Sequence, residues 1–268
     1  MTFLTVNGLR LWCERAGEGP PLLLISGTGG DLRRKPSALD GPLVRYFDVA
    51  AYDQRGLGQS DKPDGPYSMA DYAADAVGVM DALGWETARV VGISFGGMVA
   101  QELAVTWPDR VGRLVLCCTS PGGAGGASYP LHTLMDMTPE DRARRMIPIS
   151  NRRHDTAWRA ANPEVYEAMV AFSATDPYAD EPRHALGARL QLEARAGHDV
   201  WDRLPAITAP TLICAGRHDD LARPETQEKM AGRIPGARLA FFEGGHLFLL
   251  EDRAAFATII DFLKADAT

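Results

Sequence analysis

The chain has 268 residues, of which 46% are hydrophobic and 24% are charged. This composition is close to that of globular domains and excludes a disordered or fibrous protein, while the length allows one large α/β domain or a core with an insertion. The 28 basic and 35 acidic side chains leave a net charge of −7. This charge disfavours nucleic acid and anionic membranes as partners, because both require a basic surface.

Cysteine usage and the N-terminal residues indicate the compartment. The four cysteines form no C-x-x-C motif, so neither a disulfide framework nor a thiolate zinc site is expected. The N-terminus lacks a basic stretch followed by an apolar one, and no apolar run approaches the roughly 18 residues of a membrane span. We therefore expect a soluble, cytoplasmic protein.

Short apolar segments alternate with helical patterns in the first half of the chain. In chain order, the sequence predicts strands over 9–14, 22–26 and 49–52, a helix over 69–83, a strand over 88–93, a helix over 97–106 and a strand over 114–118. Several of these strands are apolar without alternation, as expected of parallel strands buried on both faces. Strand–helix alternation of this kind predicts an α/β fold with a mostly parallel sheet and right-handed crossovers.

The alternation ends at residues 121–126, a stretch of glycine and proline that is typical of turns. Helical patterns without a convincing strand follow, up to residue 204. The second half then resumes the alternation, with strands over 211–214 and 238–242 and helices over 224–233 and 253–264.

This organisation predicts an α/β core, residues 1–120 and 205–268, with a helical insert, residues 121–204. We expect the insert to be a mobile cap. Its methionine and aromatic side chains, for example Met135 and Trp158, suggest an apolar and adaptable pocket.

A G-x-S-x-G sequence places Ser94 between a predicted strand and a predicted helix. This context predicts a nucleophile elbow, in which the serine lies on a strained turn. The glycines on either side leave room for the close approach of strand and helix, and the helix N-terminus directs free N–H groups toward developing negative charge. A serine hydroxyl is too weakly acidic to attack alone, so it requires a base and an acid that orients the base.

The base is expected among the histidines that follow predicted strands, because a parallel sheet gathers its functional loops there. Two of the six histidines, His218 and His246, meet this condition. We select His246, which follows the final strand, because Gly244 and Gly245 give its loop the freedom to reach Ser94.

Five landmarks of the chain resemble the α/β-hydrolase superfamily, and the likeness covers nearly the whole chain. They are S-G-T-G-G after an early strand (26–30), D-Q-R-G-L-G-Q-S after the next strand (53–60), the elbow (92–96), and the late segments G-R-H-D (216–219) and G-G-H (244–246). Their order and spacing are similar to those of the capped branch that has a serine nucleophile. This resemblance implies a mostly parallel sheet of the eight-stranded α/β-hydrolase type. Helices flank the sheet, and a helical cap is inserted.

The resemblance also implies a catalytic triad of Ser94, Asp219 and His246, in the chain order of this superfamily. Asp219 matches the G-x-x-D placement of the family, and Asp220 is the alternative acid, because a one-residue shift in the turn would exchange the two. Some members carry the acid after the strand that precedes the insert. Here that place, residues 118–120, has no carboxylate.

The oxyanion hole implied by the family consists of backbone N–H groups, here those of Thr28 and Phe95. Many relatives begin this loop with His-Gly, whereas this chain has Ser26-Gly27. Because only the backbone donates to the oxyanion, the function is preserved, but the internal hydrogen bonds of the loop must differ.

Within the family, the chain looks most similar to enol-lactonases and carboxylesterases. This implies hydrolysis of a carboxylic ester or lactone of a small, largely apolar molecule through an acyl-enzyme on Ser94. No dinucleotide or phosphate loop and no cluster with metal-ligand spacing is present, so no cofactor or metal is expected. Three alternatives share the triad: a carbon–carbon bond hydrolase, a cofactor-free peroxidase-type enzyme, and a small-molecule receptor without turnover.

Overall fold

Eight strands form a single sheet in the computed structural model, which describes residues 1–265. The strands are β1 (Thr2–Val6), β2 (Leu9–Ala16), β3 (Pro21–Ile25), β4 (Asp48–Tyr52), β5 (Ala88–Ile93), β6 (Val111–Cys117), β7 (Thr211–Gly216) and β8 (Arg238–Phe242). Their spatial order is β1-β2-β4-β3-β5-β6-β7-β8. Only the pairs β1–β2 and β2–β4 are antiparallel. The predicted α/β fold with a mostly parallel sheet is confirmed.

The helices lie between the strands and on both faces of the sheet. They are α1 (Met69–Ala82), α2 (Phe95–Thr106), α3 (Pro139–Ser150), α4 (Thr156–Ala161), α5 (Pro163–Ala174), α6 (His184–Ala196), α7 (Pro224–Arg233), α8 (Phe248–Glu251) and α9 (Arg253–Lys264). The predicted core helices agree with α1, α2, α7 and α9 to within a few residues. Within residues 1–265, no helix is both long enough and apolar enough to cross a membrane.

One strand, β1, was not expected from the sequence. It pairs antiparallel with β2 through a turn at Asn7 and Gly8, whose φ values of 51° and 79° are both positive. An Asn-Gly dipeptide between two strand-like runs is a strong signal for such a hairpin. The signal is present in the sequence. However, β1 is mostly exposed and lacks the continuous apolar run by which the other strands are recognised.

Two hydrophobic clusters pack on opposite faces of the sheet. In β3, Leu23 and Ile25 belong to the cluster with α1 and α2, whereas Leu22 and Leu24 belong to the cluster with α9. Successive side chains of a strand point to opposite faces, so a strand covered on both sides must be apolar throughout. Each of these fully buried leucines contributes about 1.5–3 kcal/mol. This packing on both faces holds the sheet rigid, including the carboxyl ends of its parallel strands, from which the loops of the site extend.

The residues between β6 and β7 form helices α3 to α6 and short 3-10 turns, without a strand in this described stretch. A small cluster of Ala143, Ile147, Tyr166 and Val170 holds α3 and α5 together. Trp158 packs on this cluster, with its ring 4.4 Å from that of His154. We suggested Trp158 as a pocket residue from its type alone, and the contacts that the structure gives for it lie inside the insert.

Candidate active site

Ser94 lies in the turn between β5 and α2, at the edge of the sheet where the parallel strands end. Its backbone has φ 55° and ψ −114°, a conformation that is strained for any residue except glycine. The Ser94 N–H donates to the carbonyl of Cys117 at 2.9 Å, and the Ser94 carbonyl accepts from Gly97 at 2.9 Å. The neighbouring strand and the first turn of α2 therefore hold the strained serine in place.

The two glycines of the elbow permit this conformation because backbone atoms occupy the space of their missing side chains. A Cβ on Gly96 would lie 2.0 Å from the carbonyl oxygen of Ile25 in β3. A Cβ on Gly92 would lie 2.4 Å from the carbonyl oxygen of Gly96. No side chain fits at these distances. The G-x-S-x-G pattern thus records backbone contacts that the serine turn requires.

His246 follows β8 and lies between Ser94 and Asp219. Its Nε2 is 2.9 Å from Ser94 Oγ, and its Nδ1 is 2.8 Å from Asp219 Oδ2. An ionised carboxylate can only accept, so Nδ1 carries the proton and Nε2 accepts from the serine hydroxyl. The His246 N–H donates to the carbonyl of Ser150 at 2.6 Å, which ties this loop to the end of α3.

Asp219 is fully buried after β7, and both of its carboxylate oxygens accept hydrogen bonds. Oδ1 accepts the N–H groups of Leu221 at 2.8 Å and Ala222 at 2.9 Å, which leaves Oδ2 for His246. The alternative acid, Asp220, is half-buried and lies 3.7 Å from Arg152. The geometry therefore brings Asp219, and not Asp220, to the imidazole.

The loop after β3 lies against Ser94. A Cβ on Gly27 would lie 3.4 Å from Ser94 Cβ and 4.0 Å from Ser94 Oγ. Phe95 is the first residue of α2, so its N–H has no acceptor within the helix. The N–H of Thr28 likewise makes no hydrogen bond to another residue of the described chain. Both predicted oxyanion donors are thus free and belong to segments that flank the serine.

Two buried glutamines hold this loop through hydrogen bonds to its backbone. Gln54 Nε2 donates to the carbonyl of Ser26 at 2.9 Å, and Gln191 Oε1 accepts the N–H of Gly29 at 2.9 Å. Both side chains are completely buried. Gln191 belongs to α6 of the insert, 162 residues from Gly29 in the chain. Our sequence reasoning missed it, because no local pattern connects a helical glutamine with a loop so distant.

The D-x-R-G-x-G-x-S segment supports the site without entering it. Asp53 accepts the N–H groups of Leu32 at 2.8 Å and Gln59 at 2.9 Å, and thereby joins the loop after β3 to its own turn. Burial raises the pKa of Asp53 to about 6, against these hydrogen bonds. Arg55 pairs with buried Asp75 through two contacts of 2.6 and 2.8 Å. We conclude that this motif holds neighbouring segments of the chain in place rather than binding a substrate.

The arrangement can activate a serine. An imidazole with one nitrogen on a hydroxyl and the other on a buried carboxylate accepts the proton of that hydroxyl during attack on a carbonyl. Within residues 1–265, no three potential metal ligands come together. A mostly parallel sheet with a serine elbow and this histidine–aspartate pair defines the class of α/β hydrolases.

Comparison with known proteins identifies the family. The family model of the alpha/beta hydrolase fold matches residues 20–253. The chain belongs to this family.

Three relatives illustrate its neighbourhood. A protein of Variovorax paradoxus (strain S110), provisionally named a carbamate hydrolase, is 31% identical over 92% of each chain. A 2-hydroxymuconate semialdehyde hydrolase of Pseudomonas putida is 30% identical over 97% of this chain and 92% of its own. The crystal structure of the enol-lactonase from Burkholderia xenovorans LB400 matches with a TM-score of 0.79 and 28% identity, over 98% of this chain and 100% of that chain. All three names denote hydrolases, so hydrolysis is the activity that they share.

The backbone contact at the elbow generates a stability prediction. Gly96→Ala should destabilise the fold by about 3 kcal/mol or more, because the added methyl group overlaps the backbone of β3. Gly232→Ala is the matched control. Gly232 lies exposed in α7 with no atom near its missing side chain, so alanine there should stabilise by about 0.5–1 kcal/mol. Urea unfolding of the three proteins measures both changes, and equal stabilities would contradict the packing described for Gly96.

Proposed function

We propose that the protein is a serine esterase or lactonase that hydrolyses a carboxylic ester or lactone of a small, largely apolar molecule. One observation carries this proposal: the continuous hydrogen-bonded chain from Ser94 through His246 to Asp219, with spacings of 2.9 and 2.8 Å. The similarity to an enol-lactonase over nearly the full length of both chains supports a carboxylic ester or lactone as the bond that is cleaved.

Acylation begins when Ser94 Oγ attacks the carbonyl carbon and His246 Nε2 takes the hydroxyl proton. The negative charge moves to the carbonyl oxygen, where the N–H groups of Phe95 and Thr28 stabilise it. Asp219 holds the imidazolium through Nδ1. The tetrahedral intermediate then collapses, the bond to the alcohol oxygen breaks, and His246 returns the proton to that oxygen.

Deacylation repeats these steps with water. His246 Nε2 accepts a proton from the water that attacks the acyl carbon, and the same two N–H groups stabilise the second oxyanion. The bond between Ser94 Oγ and the acyl carbon breaks, and the serine recovers its proton from His246. An organic acid leaves. No cofactor is required at any step.

In this proposal the insert, residues 121–204, acts as the cap over Ser94. Gln191 of the insert holds Gly29 beside the oxyanion donor Thr28. Arg33, in the same loop, pairs with Glu181 at 2.6 and 3.0 Å and stacks 3.6 Å above the ring of Tyr178. These contacts join the insert to the loop that flanks the serine. A displacement of the insert would therefore displace the N–H of Thr28 as well.

A carbon–carbon bond hydrolase is the second candidate, because a relative with that kind of name is 30% identical over 97% of the chain. The two candidates differ in the leaving group, an alkoxide in one case and a carbanion in the other. A panel of p-nitrophenyl esters, lactones and 2-hydroxymuconate semialdehyde, the compound in the name of that relative, separates them. Turnover of the esters or lactones with no cleavage of the semialdehyde supports the proposal.

The nucleophile is tested by removal and by covalent labelling. Ser94→Ala should fold normally and lower kcat on any ester by at least about a thousandfold, because only binding and oxyanion effects then remain. A sulfonyl fluoride should add to Ser94, which peptide mass mapping identifies. Ser173→Ala, an exposed serine of α5, serves as control and should retain full activity. An adduct on a different serine would overturn the assignment.

Two adjacent aspartates provide a matched pair for the acid. Asp219→Asn should lower kcat by about four orders of magnitude, because the amide would face Nδ1 of His246 with a donor and favour the wrong tautomer. Asp220→Asn should change kcat little, since its carboxylate lies near Arg152 instead. Steady-state kinetics of both variants on one ester is the measurement. Similar losses in the two variants would show that the acid lies elsewhere.

The link between insert and oxyanion loop is tested at Gln191. Gln191→Leu keeps the size of the side chain but removes the acceptor of the Gly29 N–H, so the loop that carries Thr28 is no longer held. We expect kcat to fall about tenfold to a hundredfold with little change in KM, because an oxyanion donor acts mainly in the transition state. Arg189→Gln, exposed on the same helix, is the control. A change in KM alone, with kcat preserved, would refute this positioning role.

A further inference from the structure

Arg195, on α6, is a buried guanidinium that pairs with no carboxylate of the described chain. The residue is 6% exposed. One terminal nitrogen donates to the carbonyl of Tyr129 at 2.8 Å and the other to the hydroxyl of Ser128 at 2.6 Å, both of which are neutral. Its Nε is buried and makes no hydrogen bond. A buried charge without a counter-ion is costly, so a native protein seldom retains one without a use.

A cavity of about 70 Å³ adjoins this guanidinium, between the first turns of α2, the segment after β6 and the end of α6. Two further polar residues of its lining have a buried atom that makes no hydrogen bond: Ser120 through Oγ and His132 through Nδ1. Unpartnered buried polar atoms are rare in folded proteins. Here three residues that line one cavity, with Arg195 among them, each have such an atom.

The charge around the cavity is positive. No carboxylate is among its described lining residues. Burial lowers the pKa of Arg195 to about 10, so the guanidinium stays charged at neutral pH. Burial lowers the pKa of His198 to about 4, although the charge of Glu102 and a hydrogen bond to the backbone of Ser120 oppose this shift, so His198 is neutral and adds no charge to the cavity. Glu102 is itself bound by both terminal nitrogens of Arg203, at 2.7 and 2.6 Å.

The size of the cavity restricts it to a small anion. Its volume of about 70 Å³ exceeds the roughly 10–15 Å³ that a single water requires, so a carboxylate group fits. A guanidinium has five N–H donors, and the bonds to Tyr129 and Ser128 use two of them, so donors remain for two carboxylate oxygens. A tetrahedral dianion would bring a second charge that no further cation of the lining balances.

We propose that this cavity is a binding site for the carboxylate of a small organic acid, held by Arg195 with the Ser120 hydroxyl as a further donor. Ala127 and Ala196, which also line the cavity, are exposed, so it opens toward solvent. Neither Ser94 nor His246 lines it. Binding at this cavity can therefore be measured without turnover at Ser94.

The test is a titration of the intact protein with acetate, followed by calorimetry and by thermal unfolding. Acetate should bind with a saturable isotherm and raise Tm, because a ligand that binds only the folded state stabilises it. Acetamide, which has the same shape without the charge, and chloride at equal ionic strength should do neither. Arg195→Gln and Ser120→Ala should each weaken acetate binding at least tenfold, whereas Arg189→Gln, an exposed arginine of the same helix, should bind as the parent does.

Ser120→Ala keeps the test decisive, because it removes only a hydroxyl that makes no hydrogen bond, whereas Arg195→Gln also removes the bonds to Tyr129 and Ser128. Equal effects of acetate and chloride on the parent protein would overturn the proposal. So would unchanged acetate affinity in both variants.

The source of the carboxylate follows from inhibition of ester hydrolysis. Acetate that raises the KM of a neutral ester supports a carboxylate carried by the substrate or product. Acetate that binds without changing KM supports a separate small acid as the ligand. Only this arm requires esterase activity, so a failure of the proposed function would leave the binding result intact.

Discussion

The site depends on a backbone contact between the Ser94 turn and the two strands on either side of β5. The first turn of α2 approaches the carbonyl oxygen of Ile25 so closely that only glycine fits at position 96. On the other side, the Ser94 N–H is held by the carbonyl of Cys117. These contacts impose the positive φ of the serine, and the buried sheet supplies the packing that sustains the strain. A nucleophile in a relaxed helix or strand would not project from the edge of the sheet in this way.

The sheet brings the other two groups to the same edge. Asp219 and His246 follow β7 and β8, which continue the sheet beyond β5 and β6 and end at the same side because parallel strands share one direction. Asp219 is placed by two backbone N–H groups, and His246 is held by the carbonyl of Ser150. The rigid part of the site is therefore built from backbone hydrogen bonds. Side-chain contacts then complete it.

The insert contributes to this framework at separate points. The end of α3 contacts the loop of His246, and α6 reaches the loop of Thr28 through Gln191. The insert and the core thus both contribute polar groups to the surroundings of Ser94.

The helix α6 also carries Arg195, a second buried charged side chain whose hydrogen bonding differs from that of Asp219. Both carboxylate oxygens of Asp219 accept hydrogen bonds, whereas the guanidinium of Arg195 retains a free donor beside a cavity. Paired and unpaired buried charges have different consequences, since a free donor stabilises the protein only when a ligand accepts from it.

The sequence alone determined those parts of the protein that depend on neighbours in the chain. Alternating apolar strands and amphipathic helices specified the parallel sheet, because a strand buried on both faces must be apolar throughout. The G-x-S-x-G pattern specified the Ser94 turn, because each glycine marks a position at which a Cβ would meet backbone. The resemblance of short motifs indicated Asp219 and His246 as partners of Ser94 but left Asp220 as an alternative. The Asn7-Gly8 signal for β1 was also present, although that strand is too exposed to show the pattern of the others.

Only the tertiary structure decided the contacts between distant segments. It brought Asp219 rather than Asp220 to His246, because the turn after β7 directs one carboxylate inward and leaves the next beside Arg152. It placed Gln191 on the loop of Gly29, and it gathered Ser120, His198 and Arg195 around one cavity. None of these contacts has a periodicity or a spacing in the sequence. They arise because helices packed on a sheet meet loops that are far away along the chain, and the hydrogen bonds that form there depend on that packing.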